Sequence, residues 1–105
     1  MDKEEIIKRN ITDLKVGIEL AEIAGNDFVK NYSNNRLSTL NSNSNNSYMS
    51  DEDCAKTYSI DLVLFIKISG IINDLDNKDY FKARLIDLCY YYPDIKTDDE
   101  VSQFI

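Results

Sequence analysis

Apolar residues recur at helical spacing along most of the chain. Between residues 1 and 32, Ile7, Ile11, Leu14, Ile18, Ala21, Gly25 and Phe28 step by alternating fours and threes, which lays them on one face of a helix. Asp2 stands where an N-cap belongs, with Glu5 three residues on in the capping-box position. Gly25-Asn26 marks the place where this helix bends or ends, since a glycine costs a helix about 1 kcal/mol relative to alanine. Residues 51–75 restart the pattern behind Ser50 as N-cap, with Asp51, Glu52 and Asp53 in the first turn, where carboxylates suit the helix dipole. Cys54, Tyr58, Leu62 (or Asp61), Phe65, Ser69 and Ile72 form its stripe. Ile60, Leu62, Leu64, Ile66 and Ile68 also alternate as a half-buried strand would, but no second strand is available to pair with it. A central helix buried on most sides is the expectation.

The chain changes character between residues 33 and 50, where twelve of 18 residues are Ser or Asn. Such side chains compete for backbone hydrogen bonds and bury little, which predicts a long flexible loop, with Leu37 and Leu40 in a short ordered turn ahead of it. Residues 76–92 predict a third helix, capped by Asp76 with Asp79 three on, burying Phe81, Leu85, Leu88 and Tyr92 and stopped by Pro93. A capping box at Thr97-Asp98-Asp99-Glu100 opens a short last helix that buries Val101, Phe104 and Ile105. No internal repeat is apparent. The expected architecture is one domain over 1–105, an all-α bundle of three to four helices with the Ser/Asn-rich loop between the first and second.

Composition narrows the chemistry. The chain has 105 residues, 12 Lys and Arg, 19 Asp and Glu, and no His or Trp. Without histidine, a Ser-His-Asp or Cys-His mechanism and a His-ligated metal site are excluded within one chain. No Gly-rich phosphate loop, Cys-x-x-Cys pair or nucleophile elbow is present, so no enzyme and no cofactor are expected. Asp74, Asp76, Lys78 and Asp79 begin like a calcium loop, but Asp79 stands where its turn needs Gly and Leu85 where it needs a bidentate Glu. A helix-capping turn explains the same residues. The acidic start Met-Asp-Lys-Glu-Glu does not read as a secretory signal, and the most apolar stretch, 60–72, is broken by Asp61 and Lys67 and too short for a bilayer. Two cysteines, Cys54 and Cys89, are too few for a disulfide scaffold and suit small buried side chains in a reducing cytoplasm, with a disulfide or redox switch as the alternative.

A net charge of −7 argues against nucleic acid and against an anionic membrane surface, both of which need basic residues. It suits a basic protein partner, although solubility alone also explains it. From Ile71 to the end there are eight acids and four bases. Within that segment Tyr90-Tyr91-Tyr92-Pro93-Asp94 places three tyrosines in three directions round a helix, so at least one faces outward. Tyrosine gives large contact area at low entropy cost, and the carboxylates after it pair well with arginine. Core tyrosines beside an ordinary acidic helix start are the alternative.

Tyr91-Tyr92-Pro93-Asp94 followed by Asp98-Asp99, in a small acidic helical chain, resembles bacterial immunity proteins of the colicin and contact-dependent growth inhibition type. The similarity covers about a tenth of the chain. What it implies is a single-site inhibitor that covers a basic toxin domain, such as a nuclease, and competes with its nucleic-acid substrate. The expected contacts are Tyr90, Tyr91, Asp94, Asp98, Asp99 and Glu100, in a cytoplasmic protein that is a monomer or weak dimer. A self-associating helical module, or a phage-encoded adaptor acting on a host protein, is the competing expectation, because the spacing from Ile7 to Phe28 suits a dimer seam as well as a core.

Overall fold

The computed structural model describes residues 1–42 and 49–105, and among them every regular element is helical. Most of the chain forms two helical hairpins. In the first, α1 (Lys3–Ala24) turns into α2 (Asp27–Asn41); in the second, α3 (Asp51–Ile71) turns into α4 (Leu75–Tyr91). A 3-10 turn (Pro93–Thr97) and a one-turn helix, α5 (Asp99–Ser102), complete the fold. The bundle is all-α as the pattern predicts, with five α-helices among the described residues instead of three or four.

The extra helix is α2, which takes in residues 33–41 of the expected loop. Ser and Asn are poor helix formers by only a few tenths of a kcal/mol each, and burying one face outweighs that. Val29, Ser33 and Leu40 are fully buried and Leu37 packs against the core, so the face is real although sparse. Of the rest of the expected loop, residues 42, 49 and 50 lie outside any helix and residues 43–48 lie outside the described residues. Ile60–Ile68, equally suited to a strand by alternation, lies within α3.

Helix starts follow the sequence in two places and shift in two others. Asp2 accepts from the Glu5 amide at 2.9 Å and Ser50 from the Asp53 amide at 3.1 Å, as expected. The helix expected as the third, α4, is however capped by Asp74, not Asp76, and α5 by Asp98, not Thr97. Asn73 adopts φ 60° and the Asp74 amide bonds back to the Ser69 carbonyl at 2.9 Å, which ends α3 at Ile71 and leaves Asp74 to receive the Asn77 amide.

This turn has a twin. Gly25 adopts φ 64°, the Asn26 amide bonds to the Ala21 carbonyl at 2.9 Å, and Asn26 receives the Val29 amide. Every residue in the first turn answers to the residue forty-eight positions later in the second. The same offset relates α1 to α3 and α2 to α4, so the chain does contain an internal repeat. Eleven of the thirty-nine aligned pairs between 3–41 and 51–89 are identical, from Glu4/Glu52 to Leu40/Leu88. The densest run is Lys-x-Tyr-x-x-x-Arg-Leu-x-x-Leu, at 30–40 and again at 78–88. It is hidden in the pattern because the Ser/Asn content of α2 masks its likeness to α4.

The contacts of one buried carboxylate in each hairpin are reciprocal under this offset, which relates α1 and α3 by an approximate twofold axis. Asp61 of α3 accepts from Asn10 of α1 and from Tyr32 and Arg36 of α2, at 2.6–3.3 Å. Its counterpart Asp13 of α1 accepts from Tyr58 of α3 and, at 2.5 Å, from Tyr80 of α4, with Arg84 Nε at 3.5 Å. Both carboxylates are fully buried, and their hydroxyl and cationic neighbours offset the cost of that burial. Burial lifts the Asp13 carboxyl above the usual carboxylate range despite the opposing pull of the two phenols and Arg84. Burial, and after it the Asp13 charge, pushes the Tyr58 phenol far up.

On the axis itself, Phe65 lies across Gly17, its own counterpart, so closely that a Cβ at Gly17 would fall 2.3 Å from the ring. Phe65 packs on Phe81 with ring centroids 5.4 Å apart, while the matching positions in the first hairpin are Gly17 and Ser33. This geometry explains why the buried face of α1 is rotated from the expected stripe. Ile6, Asn10, Asp13, Leu14, Gly17, Leu20 and Ala21 are buried; Ile7, Ile11 and Ile18 are half-buried on the flank, and Phe28 is 77% exposed. The face that meets α3 needs polar partners for Asp61 and a gap for Phe65, and apolar periodicity finds neither. The other helices follow their stripes more closely: Phe81, Leu85 and Leu88 are buried in α4, and Cys54, Tyr58, Leu62, Phe65 and Ser69 in α3. Among the described residues no helix is long and apolar enough to cross a membrane.

Candidate partner-binding surface

Pro93 has no amide proton for a further helical turn, so α4 stops at Tyr91 and the chain folds into the 3-10 turn. The three tyrosines before it separate as successive helical residues must. Tyr92 turns inward, half-buried, and its hydroxyl donates to the Met1 carbonyl at 2.5 Å. Tyr90 and Tyr91 turn outward, 77% and 48% exposed, with rings edge to face at 5.2 Å between centroids. Each ring therefore limits the freedom of the other before any partner arrives.

Two buried anchors hold the acidic segment beyond them. Ile95 pins the 3-10 turn and Val101 pins α5 against α3. Thr97 Oγ1 donates to the Asp94 carbonyl at 2.7 Å, and Lys67 of α3 pairs with Glu100 at 2.9 Å. Asp94, Asp98, Asp99 and Glu100 are all exposed.

The six expected contact residues are neighbours in the chain but do not form one pocket. Tyr91 and Asp94 line a cavity of about 160 Å³ with Tyr92, Pro93, Ile95 and, from the first turns of α3, Glu52 and Lys56. Tyr90 borders a larger groove of about 470 Å³ with Ile86, Cys89, Lys96 and Ile105. Asp98 and Glu100 line a third hollow, of about 170 Å³, with Ile60, Val63 and Val101. Asp99 lines none of these three.

Sequence reasoning missed Glu52, Ile86 and Ile105 as parts of this surface. Ile86 stands off the buried stripe of α4, which is a legible sign; Glu52 joins only because the second hairpin folds the start of α3 back beside the end of α4. Ile105 was expected in the core and is 44% exposed. Cys89 forms part of the groove while being fully buried, and burial pushes its thiol up, away from nucleophilic reactivity. Among the described residues, no group of three or more His, Cys, Asp or Glu could hold a metal ion.

No protein-family model matches the chain, and no curated protein or solved structure shows detectable similarity to it.

Proposed function

We propose that this chain is a small acidic binding protein that neutralises a basic protein partner, and that the partner is a toxin domain, such as a nuclease, which the chain covers as an immunity protein does. The observation that carries this reading is the pair of outward tyrosines, ordered against each other and set between an apolar groove and a run of exposed carboxylates. Rigid aromatic anchors supply affinity, and the surrounding acids steer a basic surface toward them. No catalytic role is assigned to any residue.

The test uses the products of neighbouring genes in the source cell, captured on the intact protein and eluted with a salt gradient. A basic partner released by salt is the expected result. Reversing Asp98 and Asp99 to Lys should then slow association and reduce its salt dependence, while Tyr90→Ala with Tyr91→Ala should raise Kd by two or more orders of magnitude, about 3 kcal/mol for two such anchors. Binding unchanged by all four substitutions would sink the assignment of this surface.

A second reading rests on the opposite end of the bundle. Ile23, Phe28, Ile71 and Leu75 are each more than 60% exposed around the two matching turns. Large apolar residues gathered at one end favour a self-associating module. Its signature is a solution mass that rises with concentration and returns to the monomer value when Ile23 and Ile71 become Ser.

A further inference from the structure

The small cavity beside Tyr91 differs from the other hollows in what lines it. A tyrosine ring and Pro93 contribute flat apolar surface, and Glu52 and Asp94 approach from two separate elements, α3 and the 3-10 turn. Neither carboxylate has a hydrogen-bond or ion-pair partner for its side chain among the described residues. The one cation lining the cavity is Lys56, one helical turn beyond Glu52 and not paired with it. At about 160 Å³ the space is smaller than the 300 Å³ or so at which small-molecule pockets begin, and suits a single side chain.

We infer that this cavity is a receptor for one arginine side chain of the basic partner, its guanidinium lying on the Tyr91 ring and meeting the carboxylates of Glu52 and Asp94. The inference rests on the proposed neutralising function and adds the residue type that the partner must present. Arginine fits where lysine does not. Its planar cation stacks on an aromatic face while its fork of N–H donors reaches carboxylates to either side, whereas an ammonium is a compact, strongly hydrated point charge. Two acids against Lys56 leave one negative charge, which one guest cation neutralises. Phosphate-bearing ligands are repelled by the same pair of acids.

The experiment is a titration of the intact, isotopically labelled protein with N-acetyl-arginine amide, followed by amide NMR shifts, with N-acetyl-lysine amide as comparison. Saturable shifts confined to the amides around Glu52, Lys56 and Tyr91–Ile95 are expected, with the arginine probe binding at least about threefold more tightly. The double variant Glu52→Gln, Asp94→Asn should weaken the arginine probe by about tenfold or more, and Lys56→Ala should strengthen it. Unchanged urea unfolding curves would show that these surface variants keep the fold. Scattered or non-saturating shifts, equal response to the two probes, or indifference to the double variant would overturn the inference. The outcomes separate from those for the function itself: a partner captured through Tyr90 and Asp98 with a silent cavity sinks only the arginine receptor, and arginine binding without a captured partner sinks only the neutralising role.

Discussion

Asp61 and Asp13 occupy equivalent places in the two hairpins, yet they are held differently. Arg36 grips Asp61 through both Nε and Nη2 at 2.9–3.3 Å and also reaches Asn10, which itself donates to Asp61. Arg84 stays at 3.5 Å from Asp13 and spends its Nε hydrogen bond on the Tyr80 hydroxyl, so Asp13 relies on two phenols. The central helices differ too. α3 buries eleven of its 21 residues, because α5 and the 3-10 turn cover a face that remains open on α1, which buries seven of 22. Repeat symmetry is kept where a turn or a buried charge demands it, and lost at the axis and wherever the C-terminal segment lies on one hairpin alone.

The largest way to break this balance is at the axis. Phe65→Ala should cost about 3–5 kcal/mol, read as the fall in the urea midpoint, because the ring fills the gap over Gly17 and supports Phe81. Gly17→Ala should cost about 1–3 kcal/mol by forcing that ring aside. Combined, the two should destabilise by less than their sum, since the new methyl enters space the ring has left. Strict additivity would show that the two positions do not compete.

The buried acids sharpen the comparison next. Arg36→Met should destabilise by about 3 kcal/mol, because it strands a fully buried carboxylate, whereas Arg84→Met should cost about 1 kcal/mol or less. Equal losses would mean the difference in grip is immaterial.

Acidity separates Asp13 further. Its carboxyl titrates higher in the folded protein than in the unfolded chain, because burial disfavours the charge. The folded state therefore keeps the proton to a higher pH. That preference favours folding below the unfolded value and is lost as pH rises through the folded midpoint. Compared with Asp13→Asn, the wild type should gain stability as pH falls from neutrality into the acid range. A difference between them that does not vary with pH would contradict this.

Smallest of all, Ile23→Ser and Ile71→Ser should each change stability by less than about 0.5 kcal/mol, and by similar amounts, as counterparts exposed to 72% and 77%. Unequal effects would show that the two turns are not equivalent in solution.

Much of this architecture is legible in the sequence. The helices from Asp51 onward, the break at Gly25, the stop before Pro93 and the outward tyrosines follow from spacing and capping rules that act within a few residues. What escapes is set by pairing across the bundle. Asn10 and Asp13 look like surface residues, and Asp61 only an alternative to Leu62 on its stripe, until two hairpins bury all three together; α2 looks like loop because its face of Val29, Ser33, Leu37 and Leu40 gains its worth only against α1. The doubled Lys-x-Tyr-x-x-x-Arg-Leu-x-x-Leu run lies in the sequence but is masked by the Ser/Asn content around its first copy, and its tyrosines and arginines serve the buried acids. Of the candidate surface, the tyrosines and C-terminal acids could be named in advance, but Glu52 could not, since its place beside Asp94 depends on how α3 and α4 meet.

The Gly17–Phe65 contact also shows what a single chain permits and a symmetric pair does not. If two separate, identical hairpins came together about this axis, every substitution would occur twice, and a phenylalanine on the axis would meet another phenylalanine. Joined in one chain, the halves mutate independently, so one supplies the ring and the other the gap. Covalent fusion is thus what allows a dense, lopsided packing at the one place where a symmetric pair must compromise.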